Sequence, residues 1–326
     1  MAAVTEDRGS CGRCESAFEA GDIRCAVCGN VAPEVVRRDA PDATVEVLRC
    51  SGCGATMTYS VAARAPMCAF CGSTLQLEVR GDPLEETQLF LPFTVSRGRA
   101  EEAFRDWLAG LGWFRPGDLR SASRLESLTA TWWVGWAVDA RVRASWTADS
   151  DVGAGRADWA PHAGQTELEF DDLVVAASRG LSGEETAGLL PSYQLGSARP
   201  ADPDPPADAV VERFDMRRTA ARQAVRLQLR RLVDDRLRRG VIPGRRFRNV
   251  HTALLVRGLV TRRLGFPAWV AAYRYRGVAH RFVLSGQDAD CRLGDAPISA
   301  LRVVAAVAAA VLGIAALIAM LAFLVS

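Results

Sequence analysis

The chain contains no lysine: all 40 of its basic side chains are arginine. A phosphate-binding loop of the form Gly-x-x-x-x-Gly-Lys-Ser/Thr cannot exist without lysine, so ATP-driven helicase chemistry of the usual kind is excluded. Arginine favours bidentate contact with phosphate or carboxylate. The abundant Ala and Gly point instead to a GC-rich coding bias as the simpler source of the arginines. Histidine is scarce, and His162, His251 and His280 fall in no metal-ligand spacing. No Gly-x-Ser-x-Gly elbow occurs. The carboxylate pairs Glu85-Glu86, Asp171-Asp172 and Asp234-Asp235 are adjacent in sequence, so their side chains point apart and read as solvated surface. With no catalytic constellation to build on, the expectation is a protein that is not an enzyme. A net charge of +2 selects no class of partner.

Residues 1–9 also lack a basic stretch followed by an apolar core, so no secretory leader is expected and the thiols are expected to stay reduced. In that setting paired cysteines mean metal more often than disulfide. Eight of the nine cysteines form Cys-x-x-Cys pairs. Cys11/Cys14 and Cys25/Cys28 are separated by ten residues, and Cys50/Cys53 and Cys68/Cys71 by fourteen. Zinc takes four thiolates tetrahedrally, and two intervening residues let one tight turn deliver two sulfurs. A redox pair of the thioredoxin kind would need one such motif opening a helix, not four. The expectation is two structural Zn2+ sites, Cys11, Cys14, Cys25, Cys28 and Cys50, Cys53, Cys68, Cys71, both closed to water. Interleaved ligation, with Cys11 and Cys14 joining Cys50 and Cys53, is the alternative. Gly29, Gly54 and Gly72 follow the second cysteine of three pairs, where a glycine can take positive φ and let amides face the sulfur. Glu15 stands at that position in the first pair. Cys291 is alone and reads as an inert thiol.

The spacing of apolar residues predicts an α+β protein: two zinc ribbons over 1–38 and 39–80, a linker at 81–88, a β-rich body over 89–298, and a transmembrane helix over 302–325. In the second ribbon, strands are expected at Thr44–Leu48, Thr56–Tyr59 and Thr74–Val79. The body should hold a helix over Ala100–Leu111 and strands over Ala130–Ala144 and residues 168–178. A Pro- and Asp-rich loop at Arg199–Asp208 precedes a long helix from near Asp215 to Arg239, ended by Gly240. Two further strands, Pro267–Arg274 and Ala279–Ser285, should turn at Arg276-Gly277. Trp132, Trp133, Trp136 and Trp269 fall in strands and are expected in the core.

In the long helix, Arg218, Arg222, Arg226 and Arg230 recur every four residues opposite Val225, Leu229, Leu232 and Val233. Such a run reads as a solvated face with ion pairs to Asp234 and Asp235, or as a contact for anionic lipid or nucleic-acid phosphates. Val303–Val325 is 23 residues without a polar or charged side chain. At ~1.5 Å per residue it spans about 35 Å, enough for the bilayer core. Its small residues Ala305, Ala306 and Gly313 would admit a second helix, hence a homo-oligomer. Only Ser326 follows, so insertion is expected tail-first, and Arg302 favours keeping the N-terminal bulk in the cytoplasm.

The chain resembles bacterial zinc-ribbon membrane proteins catalogued as TFIIB-type zinc ribbon-containing or primosomal protein N′-like. The resemblance rests on the ribbon Cys50–Cys71, on Leu91–Val95, on Ala103-Phe104 to Trp107, on Trp132–Trp136, on Phe266–Tyr273 with Tyr275-Arg276-Gly277, and on Val283–Gln287. Ser285, Asp288-Ala289 and Gly135 depart from the family pattern. The resemblance covers about residues 50–297, leaving the first cysteine cluster as an addition. It implies a membrane-anchored scaffold that recruits a protein partner, in a membrane-stress setting, and transfers no catalytic residue. A membrane-tethered nucleic-acid-binding regulator is the alternative, although residues 50–79 carry only Arg64.

Overall fold

The computed structural model describes residues 9–16, 18, 25, 30–33, 43–52, 55–58, 68, 75–82, 86–153, 158–200, 205–214 and 218–325. Within these, the side chains of 43–47, 57–58, 75, 77–82, 218–220, 222 and 315–325 are outside the description. The protein is α+β and rich in sheet.

Strands β1 (Ala43–Cys50), β2 (Thr56–Thr58) and β3 (Leu75–Asp82) form a three-stranded antiparallel sheet in the order β2-β1-β3. Cys50 ends β1, so the strand delivers the first sulfur of the second cysteine group directly into its turn. Residues 83–85 of the expected linker lie outside the described residues, while Gly81 and Asp82 belong to β3.

The body is a seven-stranded sheet. After the two-residue β4 (Leu89–Phe90) come helix α1 (Arg97–Gly110) and the short α2 (Leu119–Ala122). Strands β5 (Arg124–Ser150) and β6 (Ala160–Ala176) follow, then α3 (Gly183–Leu189), β7 (Val210–Val211) and α4 (Arg218–Gly240). The chain closes with β8 (Phe247–Tyr275), β9 (Val278–Ser285), β10 (Arg292–Gly294) and α5 (Ala300–Val325). The order is β10-β9-β8-β5-β6, with β4 parallel to β8 and β7 parallel to β5. β5 and β8 pair antiparallel from Arg124↔Arg274 to Ser150↔Phe247. Both are far longer than the periodicity predicts, because the expected strands mark only their most apolar parts.

β5 is covered on both faces. Val134, Trp136, Val138, Ala140, Val142 and Ala144 share a buried cluster with Ala221, Val225, Leu229, Val233 and Leu237 of α4. Those five helical residues recur every four positions, a stripe that an α-helix turns toward one side. On the other face, Trp133 stacks on Phe266 with centroids 4.2 Å apart and joins a cluster holding Cys50, Ala55 and Cys68. A third cluster is closed by α1, whose Ala100, Ala103, Phe104 and Leu108 pack against Trp269, Tyr273 and Phe282. Two buried indoles have polar partners: Trp132 donates to the Leu91 carbonyl at 3.0 Å and Trp269 to that of Val95 at 2.9 Å.

Two turns explain sequence features. Arg276 and Gly277 both have positive φ, 48° and 86°, the two-residue hairpin whose twist suits antiparallel strands. At the end of β9, a Cβ on Gly286 would lie 2.5 Å from Cβ of Pro267. Gly286 therefore lets its carbonyl reach the amides of Thr94 and Val95, both at 2.9 Å. Next to it, Gln287 donates to the carbonyl of Pro92 and to Ser197 Oγ, and accepts from the Gln194 amide. One amide side chain thus ties two separate segments, at Pro92 and at Gln194–Ser197, to the sheet.

Candidate metal centre

The first cysteine pair is a tight turn built by the backbone. The Glu15 amide donates to the carbonyl of Cys11 and the Cys11 amide to that of Ser16, each at 2.8 Å. Cys25 and Cys50 make the same bond to the residue five positions on: Cys25 N–H to Asn30 O at 2.6 Å, Cys50 N–H to Ala55 O at 2.9 Å. Three of the four Cys-x-x-Cys motifs therefore close the same loop. In the third, the Gly52 amide also points at the Cys50 sulfur, at 3.3 Å. Amides aimed at sulfur stabilise thiolate, the form a metal requires.

The turns bring Cys11, Cys14 and Cys25 together, with their sulfurs all within 4.8 Å of one another. Cys14 and Cys25 are 3.4 Å apart, Sγ to Sγ. Sulfurs on a tetrahedral zinc at about 2.3 Å would stand about 3.8 Å from each other, so this spacing fits a metal. All three thiols are buried, and the Asn30 amide lies 3.9 Å from the Cys11 sulfur. A soft, buried, convergent donor set of this kind suits a structural metal ion rather than a catalytic one. Cys28 lies outside the described residues. Cys25 joins Cys11 and Cys14 in the described group. In the second group Cys50 and Cys68 are both buried, while Cys53 and Cys71 lie outside the described residues.

Glu15 occupies the position where the other pairs have glycine, and it takes the conformation a glycine would, with φ 61°. The first turn is thus closed at the cost of strain in a residue carrying a Cβ.

The first pair is also docked on the body, which sequence reasoning did not anticipate. β5 and β8 fall out of register between Asp139 and Arg141, opposite Gly258, whose φ is 59°. Such a bulge frees backbone amides from the ladder. Here the Gly258 amide donates to Cys14 O at 2.9 Å and the Leu259 amide to Ser16 Oγ at 3.2 Å. A glycine inside a strand pattern was the available signal. At the neighbouring irregularity between β5 and β6, Arg262 bonds both Asp139 and Asp172, at 3.2 and 2.5 Å. A shallow cleft beside the turn is lined by Glu15, Arg141, Arg143, Glu167, Glu169 and Arg257. Four of these charges are paired: Arg141 with Glu169 at 3.0 Å and Arg143 with Glu167 at 2.5 Å. The Arg143 guanidinium holds the Glu167 carboxyl below its usual range.

The other candidates are scattered. On α4, Arg226 and Arg230 are exposed, and the side chains of Arg218 and Arg222 lie outside the description. Asp235 pairs with Arg239 at 2.9 Å, and Asp234 accepts from Thr252 at 2.7 Å. His162 meets the Val152 carbonyl, and His280 meets Asp295 at 3.1 Å, so these two are apart from the thiols. Cys291 is half-buried near the Gly188 carbonyl, and burial pushes its thiol pKa up, away from reactivity.

At the far end of the chain, α5 runs for 26 residues. Among the residues whose side chains are described, which in this helix end at Ile314, no helix is long and apolar enough to cross a membrane.

No family model, no curated protein and no solved structure matches this chain.

Proposed function

We propose that the chain is a membrane-anchored adaptor: two structural zinc sites fold rigid ribbons that recruit a protein partner to the cytoplasmic face of a membrane. The observation that carries the reading is the pairing of a buried thiol cluster with an apolar terminal helix. Cys11, Cys14 and Cys25 would hold the first ion together with Cys28, and Cys50 and Cys68 the second with Cys53 and Cys71. Each ion would supply cross-links that a small ribbon cannot obtain from its own core.

The anchoring part is supported by α5, whose 26 residues reach about 39 Å. It has no charged residue after Arg302, and its Val304, Val307, Val311, Leu312 and Ile314 are exposed. An exposed apolar helix of that kind is costly in water and stable in lipid. Anchoring would confine the ribbons to a surface and raise their effective concentration for a partner. The resemblance to zinc-ribbon membrane proteins, and with it a membrane-stress setting, belongs to the same proposal.

The test is co-fractionation. The full chain, and one lacking residues 303–326, are expressed with their native partners, and membranes are floated. A partner that moves to the membrane fraction with the full chain, and is lost with Cys50→Ser and with the shortened chain, supports recruitment. A full chain that stays soluble, or binds about one zinc per two chains or less, sinks the reading. The nucleic-acid alternative draws on the exposed Arg230, Arg231, Arg238 and Arg239 of α4. It requires DNA or RNA affinity that falls steeply with salt, and is discarded if none is measured.

A further inference from the structure

All eight tryptophans are within the described residues, and only Trp113 is exposed. It is 58% exposed, and the adjacent Phe114 is 51% exposed. The loop joining α1 to α2 is fastened by hydrogen bonds to its backbone carbonyls. The Ser299 amide donates to Phe114 O at 2.8 Å, and Arg302 donates to the carbonyls of Trp113 and Arg115 at 2.8 and 2.9 Å. Arg115 in turn donates to Ala296 O. These bonds fasten the loop to the base of α5, where the apolar run begins. The Arg302 guanidinium also lies over the Trp113 ring, 5.6 Å from its centroid. Gly117 leaves room for that arginine, since a Cβ there would lie 2.9 Å from its Nη2. Ile298 and Leu301, 65% and 80% exposed, extend the apolar surface around the same helix base.

We propose that this loop is a second membrane contact, with Trp113 and Phe114 inserted at the headgroup–acyl boundary of the phospholipid bilayer that α5 enters. The inference rests on the anchoring reading and specifies how the body sits on the bilayer. Three features select lipid as the occupant. The patch is continuous with the exposed apolar face of α5. Its large side chains are aromatic, and aromatic rings concentrate at the depth where one end of the ring is wet and the other apolar. Its cation, Arg302, is at the water side of the apolar run, the place from which a guanidinium reaches headgroup phosphates. With both the helix and the loop engaged, the body is fixed in height and rotation rather than swinging on a single tether.

The experiment uses the full chain in vesicles of phosphatidylcholine and phosphatidylglycerol carrying bromine either near the headgroup or near the chain ends. The emission of Trp113 is read as the difference between the wild type and Trp113→Phe. Stronger quenching by the shallow bromine supports the proposal, and Phe114→Asp is expected to reduce that quenching at least about twofold while the chain still floats with vesicles. A difference emission untouched by either lipid, from a chain that floats, overturns the loop contact and leaves the anchor standing. A chain that does not float overturns both.

Discussion

The amide of Gly258 donates to the carbonyl of Cys14 at 2.9 Å, joining the first cysteine turn to the middle of the longest strand. Cys11, Cys14, Phe18 and Cys25 lie in the same buried cluster as Val138, Ala140 and the apolar stripe of α4. The turn is therefore part of the body's core. It also satisfies two amides, those of Gly258 and Leu259, that the bulge would otherwise leave without partners. Loss of order at the thiols should be felt in the sheet.

Cys14→Ser is expected to lower bound zinc from about two to about one per chain. It should also destabilise the body by ~3 kcal/mol or more, lowering Tm by roughly 10 °C. Metal analysis and thermal unfolding followed by tryptophan fluorescence check both numbers. An unchanged body Tm with one zinc lost would mean that the turn and the sheet are uncoupled.

Glu15→Gly should stabilise the protein. Relief of a left-handed conformation at φ 61° is worth ~1–2 kcal/mol, against ~0.5–1 kcal/mol of extra unfolded-chain freedom. A net gain of about 0.5–1 kcal/mol is expected, and Glu15→Val should shift stability the other way. Chemical denaturation of the three proteins side by side decides the order.

The cysteine turns were legible in the sequence because two residues between cysteines suit one tight turn, and two of the three-stranded sheet's strands because Thr44–Leu48 and Thr56–Thr58 stand so close to Cys50. The hairpin at Arg276-Gly277 was legible for a similar local reason, its positive φ values. The lengths of β5 and β8 were not. The unforeseen half of β8 carries Arg248 and Arg262, which break an apolar alternation and become acceptable only when Asp149, Asp139 and Asp172 arrive from neighbouring strands. Long-range pairing of that kind leaves no mark within either segment. Docking of Cys14 on Gly258 was hidden for the same reason, being a contact across 244 positions.

Tyr193 bridges two partners in the core: its hydroxyl accepts from Trp133 Nε1 at 3.1 Å and donates to Pro267 O at 2.9 Å. Tyr193→Phe strands the Trp133 N–H, while the Pro267 carbonyl keeps the Gly286 amide at 2.8 Å, and should cost ~1–3 kcal/mol, since an unpaired buried polar group loses its solvation without return. Equilibrium unfolding measures it, and a cost below ~1 kcal/mol would show that water replaces the hydroxyl.

Glu212 gives the pH prediction. Burial pushes its carboxyl up to about 7 from 4.5, against the Ser178 hydroxyl and the amides of Gly180 and Arg179, which favour the charged form. The folded protein therefore holds a proton that the unfolded chain releases near its ordinary value. The stability this contributes is complete below about pH 4.5 and is lost as pH rises through about 7. It amounts to ~3 kcal/mol at most. Unfolding measured from acid to mildly alkaline pH should show the decline, and Glu212→Gln should flatten it. A wild-type profile with no slope near neutrality would rule out a protonated Glu212.

The paired strands β5 and β8 also set a distance. Their lower end is tied by Tyr275 and Arg276 to Asp118, both at 2.7 Å, at the close of the loop that grips the base of α5. Gly258, which carries the first cysteine turn, is 17 residues further along β8, up to about 55 Å at the rise of an extended strand. The ladder thus works as a mast. Its length is written in hydrogen-bond register, so inserting or deleting two successive pairs of facing residues between Gly258 and Tyr275, which keeps every side chain on its own face, would lengthen or shorten that span by roughly 7 Å.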